Sequence, residues 1–145
     1  MEKKLPVTIT TDGACSCNPG PGGWAAILVQ GARRKEVCGS AEATTNNRME
    51  LQAAIGGLTA LKRPCDVTLR TDSQYLVTTL AQLEQLCANT WTRKGKLIPN
   101  ADLVELLYGT IVGGEHCVTA ERVAGHAGDA DNERADALAK AAIQR

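Results

Sequence analysis

Two segments of this chain alternate in the same way and stop on the same dipeptide. Val7-Thr8-Ile9-Thr10-Thr11-Asp12 and Asp66-Val67-Thr68-Leu69-Arg70-Thr71-Asp72 both read as strands ending in Thr-Asp. In a sheet with parallel neighbours, ligands collect at the carboxyl ends of strands. If the two strands are adjacent, Asp12 and Asp72 lie side by side, which is costly unless a cation sits between them. The plainer alternatives are an Asp-Gly turn for Asp12 and a helix N-cap for Asp72. Glu50 fits a capping box opened by Asn47, yet from a first helical turn it could also reach the end of the sheet. Asp136 precedes Lys140 by four residues, the spacing of an exposed helical ion pair. His126, between small residues, reads as a solvated loop histidine or as a proton carrier beside a metal site, since its ordinary pKa is about 6.5. No Ser-His-Asp arrangement appears, and Asn18-Pro19-Gly20-Pro21-Gly22-Gly23 lacks the Lys-Ser/Thr ending of a phosphate loop. A metal-assisted site is what remains.

The elements that must position these residues follow from periodicity and turn chemistry. After the first strand, Trp24–Gln30 reads as its hairpin partner and Glu36–Ala41 as a third strand. Leu51, Ala54, Ile55, Leu58 and Leu61 recur at helical spacing, so a helix is expected from Asn47 to Lys62, ended by Pro64. The second Thr-Asp strand comes next, then a helix over Ser73–Leu86, a polar loop from Trp91 to Asn100, and a helix over Ala101–Ile111 carrying Leu103, Leu106 and Leu107. His116–Val123 alternates as a fifth strand, and Asp129–Gln144 is an Ala-rich helix with Ala135, Leu138, Ala139 and Ala142 inward. The order is β-β-β-α-β-α-α-β-α.

With 145 residues the chain is expected to form a single domain, 1–145. It has no Phe and 3% aromatics, so Leu, Ile, Val and Ala must build the core. Sixteen basic and sixteen acidic residues cancel, so any attraction to a polyanion has to be local. No stretch approaches the roughly 20 apolar residues of a membrane span or resembles a signal peptide, and a cytoplasmic monomer is expected. The six cysteines match neither a zinc site nor a secreted disulfide framework, and most are expected to be reduced and buried.

Five stretches together resemble one family. They are Thr11-Asp12-Gly13-Ala14-Cys15 with Asn18-Pro19-Gly20-Pro21-Gly22-Gly23, then Thr44-Thr45-Asn46-Asn47-Arg48-Met49-Glu50-Leu51, then Thr71-Asp72-Ser73-Gln74-Tyr75. Gly125-His126-Ala127-Gly128 and Asn132-Glu133-Arg134-Ala135-Asp136-Ala137-Leu138-Ala139 complete the set. Each is weak alone. In this order, across nearly the whole chain, they are similar to the bacterial-type ribonuclease H of type 1.

The resemblance implies an α/β fold, a ribonuclease H-like five-stranded mixed sheet of three antiparallel strands then two parallel, flanked by helices. It implies Asp12, Glu50, Asp72 and Asp136 as metal ligands and catalytic residues for a pair of Mg²⁺ ions, or Mn²⁺ in their place, with His126 aiding proton transfer or product release. The implied reaction is metal-dependent hydrolysis of the RNA strand of RNA/DNA hybrids to 5′-phosphate and 3′-hydroxyl ends. By motif position, Cys15, Asn18, Asn46, Asn47 and Gln74 resemble contacts to the minor groove of the hybrid. Thr45 and Asn100 resemble a pocket for a phosphate of the DNA strand, with helix capping the alternative for Asn46 and Asn47. Trp91 belongs to a substrate-binding protrusion that is shorter here than is usual and keeps three cations, Arg93, Lys94 and Lys96. Weaker hybrid binding and a shallow salt dependence are therefore expected. Cys17 replaces the usual glycine before Asn-Pro-Gly. The competing readings are a catalytically weak hybrid-binding module and a nuclease of related fold with another substrate.

Overall fold

The computed structural model describes residues 4–124 and 129–143, and it turns the alternating segments into one sheet. Strands β1 (Leu5–Cys15), β2 (Gly20–Gln30) and β3 (Arg33–Thr44) form an antiparallel meander, and helix α1 (Asn46–Thr59) crosses to β4 (Cys65–Thr71), parallel to β1. Helix α2 (Gln74–Ala88), the short hairpin β5 (Thr92–Arg93) and β6 (Lys96–Leu97), and helix α3 (Ala101–Gly113) lead to β7 (Cys117–Arg122), parallel to β4. Helix α4 (Ala130–Ala142) follows. The strand order β3-β2-β1-β4-β7 is the expected mixed sheet of three antiparallel strands then two parallel.

Strand alternation sorts the side chains between two faces. Val7 and Ile9 of β1, Ala26 and Leu28 of β2, and Val67 and Leu69 of β4 are buried in one cluster with Leu51, Ala54, Ile55 and Leu58 of α1. Leu76, Leu83 and Leu86 of α2 and Leu103, Val104 and Leu107 of α3 belong to the same cluster. Helix α4 covers the opposite face through Ala135 and Ala139, both fully buried. No helix among the described residues is long and apolar enough to cross a membrane.

Several local expectations are corrected by packing. Helix α1 begins after Thr45, whose Oγ1 accepts from Arg48 N at 3.2 Å, so the cap is Thr45 and the Asn47 capping box does not form. It ends at Thr59, because Leu61 N turns back to Leu58 O and the last turn tightens before Lys62. In α3, Leu106 is half exposed and Val104 takes the inward place. The six cysteines are free thiols, as expected, but only Cys65 is buried. Cys38 and Cys117 lie on β3 and β7, the outer strands of the sheet, and Cys17 lies between β1 and β2, where nothing covers it.

Candidate active site

The register of the sheet decides which acids meet. Strands β1 and β4 pair up to Thr10 opposite Arg70, so Asp12 and Asp72 stand level two residues further on. Asp12 is buried within β1, which runs on to Cys15, and its backbone pairs with Ala25 of β2. It therefore does not sit in a tight Asp-Gly turn. Asp72 follows the last residue of β4 and is half-buried; the cap of α2 is instead Ser73, whose Oγ accepts from Leu76 N at 3.1 Å.

Glu50 arrives from the first turn of α1. Its Oε1 accepts from Gly13 N at 2.6 Å and its Oε2 from Thr71 Oγ1 at 3.4 Å. That approach depends on Gly13 having no side chain, since a Cβ there would stand 2.6 Å from Glu50 N and from the Met49 carbonyl carbon. Asp12, Glu50 and Asp72 each offer a carboxylate oxygen within 4.8 Å of the others. Asp136 forms the expected pair with Lys140 at 3.0 Å and adds its charge to the surroundings of Asp12, outside the group of three whose oxygens lie within 4.8 Å. His126 lies outside the described residues.

Such crowding suppresses ionisation. Burial first, then repulsion from Glu50, Asp72 and Asp136, pushes the Asp12 carboxyl up to about 9. Burial and the charge of Asp72 raise Glu50 as well, against the opposing donation from Gly13 N. With no cation between these groups, Asp12 would keep its proton at neutral pH. The donor set is all carboxylate oxygen, the chemistry of a hard divalent ion, and a metal ion between these residues would relieve the repulsion that the proton now limits.

Around this cluster the first turns of three helices meet. Arg48 of α1 forks onto Asp102 of α3 at 2.8 and 2.9 Å, and Asn100 joins Arg48 Nη1 at 3.4 Å to Tyr75 Oη at 3.0 Å. Asn18 Oδ1 accepts from Asn46 N at 3.2 Å. Asn46, Asn47 and Gln74 are exposed at the starts of α1 and α2, Gln74 donating to Thr78 Oγ1 at 3.0 Å. Thr45 and Asn100 flank the same junction, although Asn100, with φ of 61°, makes no side-chain cap. Cys15 is half-buried at the end of β1, its thiol directed at the carbonyls of Cys17, Gly20 and Thr44.

Trp91 departs from the expectation of a substrate contact. Its ring is buried in the core cluster, edge to face with Tyr108 at 5.6 Å, and it anchors the protrusion while Arg93, Lys94 and Lys96 stay outside. A Trp after a polar turn gives no local sign of which way it faces. Thr71 and Gly13, which orient Glu50, and the Arg48–Asp102 fork were not singled out from the sequence. Both orienting residues adjoin a site aspartate in the Thr-Asp and Asp-Gly pairs, the signal that could have found them.

A family model for RNase H matches residues 4–144. The chain belongs to the ribonuclease H family. It is 51% identical over 140 residues to the ribonuclease H of Phenylobacterium zucineum (strain HLK1), covering 92% of this chain and 88% of that one. It is 48% identical to the ribonuclease H of Chlorobium phaeovibrioides (strain DSM 265 / 1930), covering 100% of this chain and 99% of that one. Among solved structures it is similar to LC9-RNase H1, described as a type 1 RNase H with the type 2 active-site motif. The TM-score is 0.85 at 30% identity, over 99% of this chain and 74% of that one. Membership in this family makes the carboxylate cluster the place to look for the chemistry.

Proposed function

We propose that this ribonuclease H family member hydrolyses the RNA strand of RNA/DNA hybrids, using divalent metal held by Asp12, Glu50, Asp72 and Asp136. The observation that carries the reading is the three-carboxylate cluster, with oxygens within 4.8 Å of one another and ionisation of Asp12 suppressed by burial. The chemistry supplied by a bound pair of Mg²⁺ ions, or Mn²⁺, is activation of a water for in-line attack at phosphorus and stabilisation of the leaving 3′ oxygen. The products would carry 5′-phosphate and 3′-hydroxyl ends.

The chain's own residues divide the remaining work. Gly13 N and Thr71 Oγ1 hold Glu50 in one orientation. Cys15, Asn18, Asn46, Asn47 and Gln74 offer donors and acceptors to 2′-hydroxyls across a shallow minor groove. Thr45 and Asn100, where three helix N-termini meet, suit a phosphate of the DNA strand. His126 is assigned to proton transfer or product release. Six free thiols fit action in a reducing compartment such as the cytoplasm, and the chain is taken to work as a monomer.

The test is cleavage of a labelled hybrid, with single-stranded RNA, duplex RNA and duplex DNA as controls, in Mg²⁺, Mn²⁺ and EDTA. Metal-dependent cutting of the hybrid's RNA strand alone is the expected result. Binding without cutting would make the chain a hybrid-binding module, and equal cutting of the controls would assign it another substrate.

A further inference from the structure

Helix α4 rests on the sheet through small side chains. Ala135 and Ala139 are fully buried, and a Cβ on Gly23 would stand 2.2 Å from Ala139 O. Such a smooth face allows close approach but offers no large knob against sliding along the helix axis. Among the described residues, the buried Asn132 and ionic contacts are what oppose that motion. Arg34 meets Asp131 at 2.8 Å and Arg134 forks onto Glu36 at 3.0 and 3.1 Å, but these pairs are well exposed and weak.

The third pair is more sheltered. Arg70 and Asp129 have side chains only 22% and 25% exposed, and the guanidinium forks onto both Asp129 oxygens while its Nε donates to Glu121 at 3.4 Å. Asp129 is also the N-cap of α4, accepting from Asn132 N at 3.1 Å. Thr71 O accepts from Val123 N at 2.8 Å, so both ends of the segment joining β7 to α4 are tied to the last two residues of β4. Arg70 precedes Asp72 by two residues on the same strand face, and Asp136 follows Asp129 by seven residues, about 10 Å along a rigid helix.

We propose that Arg70 is a positioning residue: through Asp129 it fixes the axial position of α4, and so where Asp136 stands relative to the three-carboxylate cluster. The proposal rests on the reading of Asp136 as one of the four site carboxylates. Tolerances of about 0.5 Å at such sites make a small slide of α4 consequential.

The experiment is Mg²⁺ titration of the metal-free protein by calorimetry, with kcat and KM on a labelled hybrid, for R70Q, D129N, the double variant and D136N, well below their unfolding midpoints. Removing a positive charge two residues from Asp72 would by itself tighten Mg²⁺ binding. Lost positioning weakens it instead, by about 10-fold, with kcat falling and KM unchanged. Asn still caps a helix, so D129N removes the fork but not the cap. The double variant should be no worse than R70Q, because both act through one pair. Mg²⁺ affinity in R70Q equal to or tighter than that of the unaltered protein, or additive losses in the double variant, would overturn the proposal. Wild-type Mg²⁺ affinity and turnover in D136N would instead remove the Asp136 assignment on which it rests. If R70Q does not fold, R70K, which keeps the charge and loses the planar fork, is read the same way and is expected to lie between R70Q and the unaltered protein.

Discussion

Replacing Asp12 by Asn tests the physical origin of the site. In the folded, metal-free protein the Asp12 carboxyl is raised from 3.8 to about 9, and Glu50 from 4.5 to about 7, burial being the first cause in both. The folded chain therefore binds more protons than the unfolded chain across that interval. Stability fully present below the unfolded values is lost as pH rises through the folded ones. With oxygens within 4.8 Å of one another and an effective dielectric constant of ~20, each pair of ionised carboxylates costs at least about 3.5 kcal/mol. Asp12→Asn keeps the shape and removes the charge. The variant should match the unaltered protein only below about pH 4, where Asp12 is protonated in the folded and the unfolded chain alike, and should exceed it increasingly as pH rises, by about 3 kcal/mol at pH 9, or about 6–12 °C in Tm for a chain of this size. Urea unfolding followed by tryptophan fluorescence, in EDTA and in saturating Mg²⁺, measures this without the screening that guanidinium would bring. Mg²⁺ should stabilise the unaltered protein more than the variant, and the variant should not cleave. A gain that does not grow with pH, or equal stabilisation of both proteins by Mg²⁺, would refute the reasoning.

Other perturbations separate the remaining roles. His126→Ala should lower turnover by up to about 10²-fold without abolishing it, and a rate profile unchanged in shape between pH 6 and 9 would count against a proton role. Gly13→Ala forces a Cβ to 2.6 Å from Glu50 N; chemical denaturation should show a loss of about 1–3 kcal/mol, together with weaker Mg²⁺ binding, and wild-type values for both would contradict the close approach. For hybrid binding, a plot of log affinity against log salt should be no steeper than about −6, and replacing both Lys94 and Lys96 by Ala should flatten it by about 1.5–2. An unchanged slope in the double variant would place both cations off the substrate.

Much of the architecture was readable from local pattern, and the set of four candidate acids from the resemblance carried by the five motifs together. Alternation in Val7–Asp12 and Asp66–Asp72 is a nearest-neighbour property, since each residue's face is set by the pleat, and helical spacing in Leu51–Leu58 works the same way. That is why two strands ending in Thr-Asp could be read from the chain, whereas their adjacency rests on the parallel pairing of β1 with β4. Caps proved harder, because several residues near a helix start can compete. Thr45 displaced Asn47 once Glu50 was drawn away to Gly13 N. Nothing near Trp91 says that its ring turns inward onto Tyr108. Nor does local sequence pair Arg48 with Asp102, 54 residues away, or Arg70 with Asp129, 59 residues away. Such contacts exist only after the sheet has brought distant segments together. The same is true of the raised Asp12 carboxyl: its residue type is written in the chain, but its proton affinity depends on the burial and the neighbouring charges that folding assembles around it.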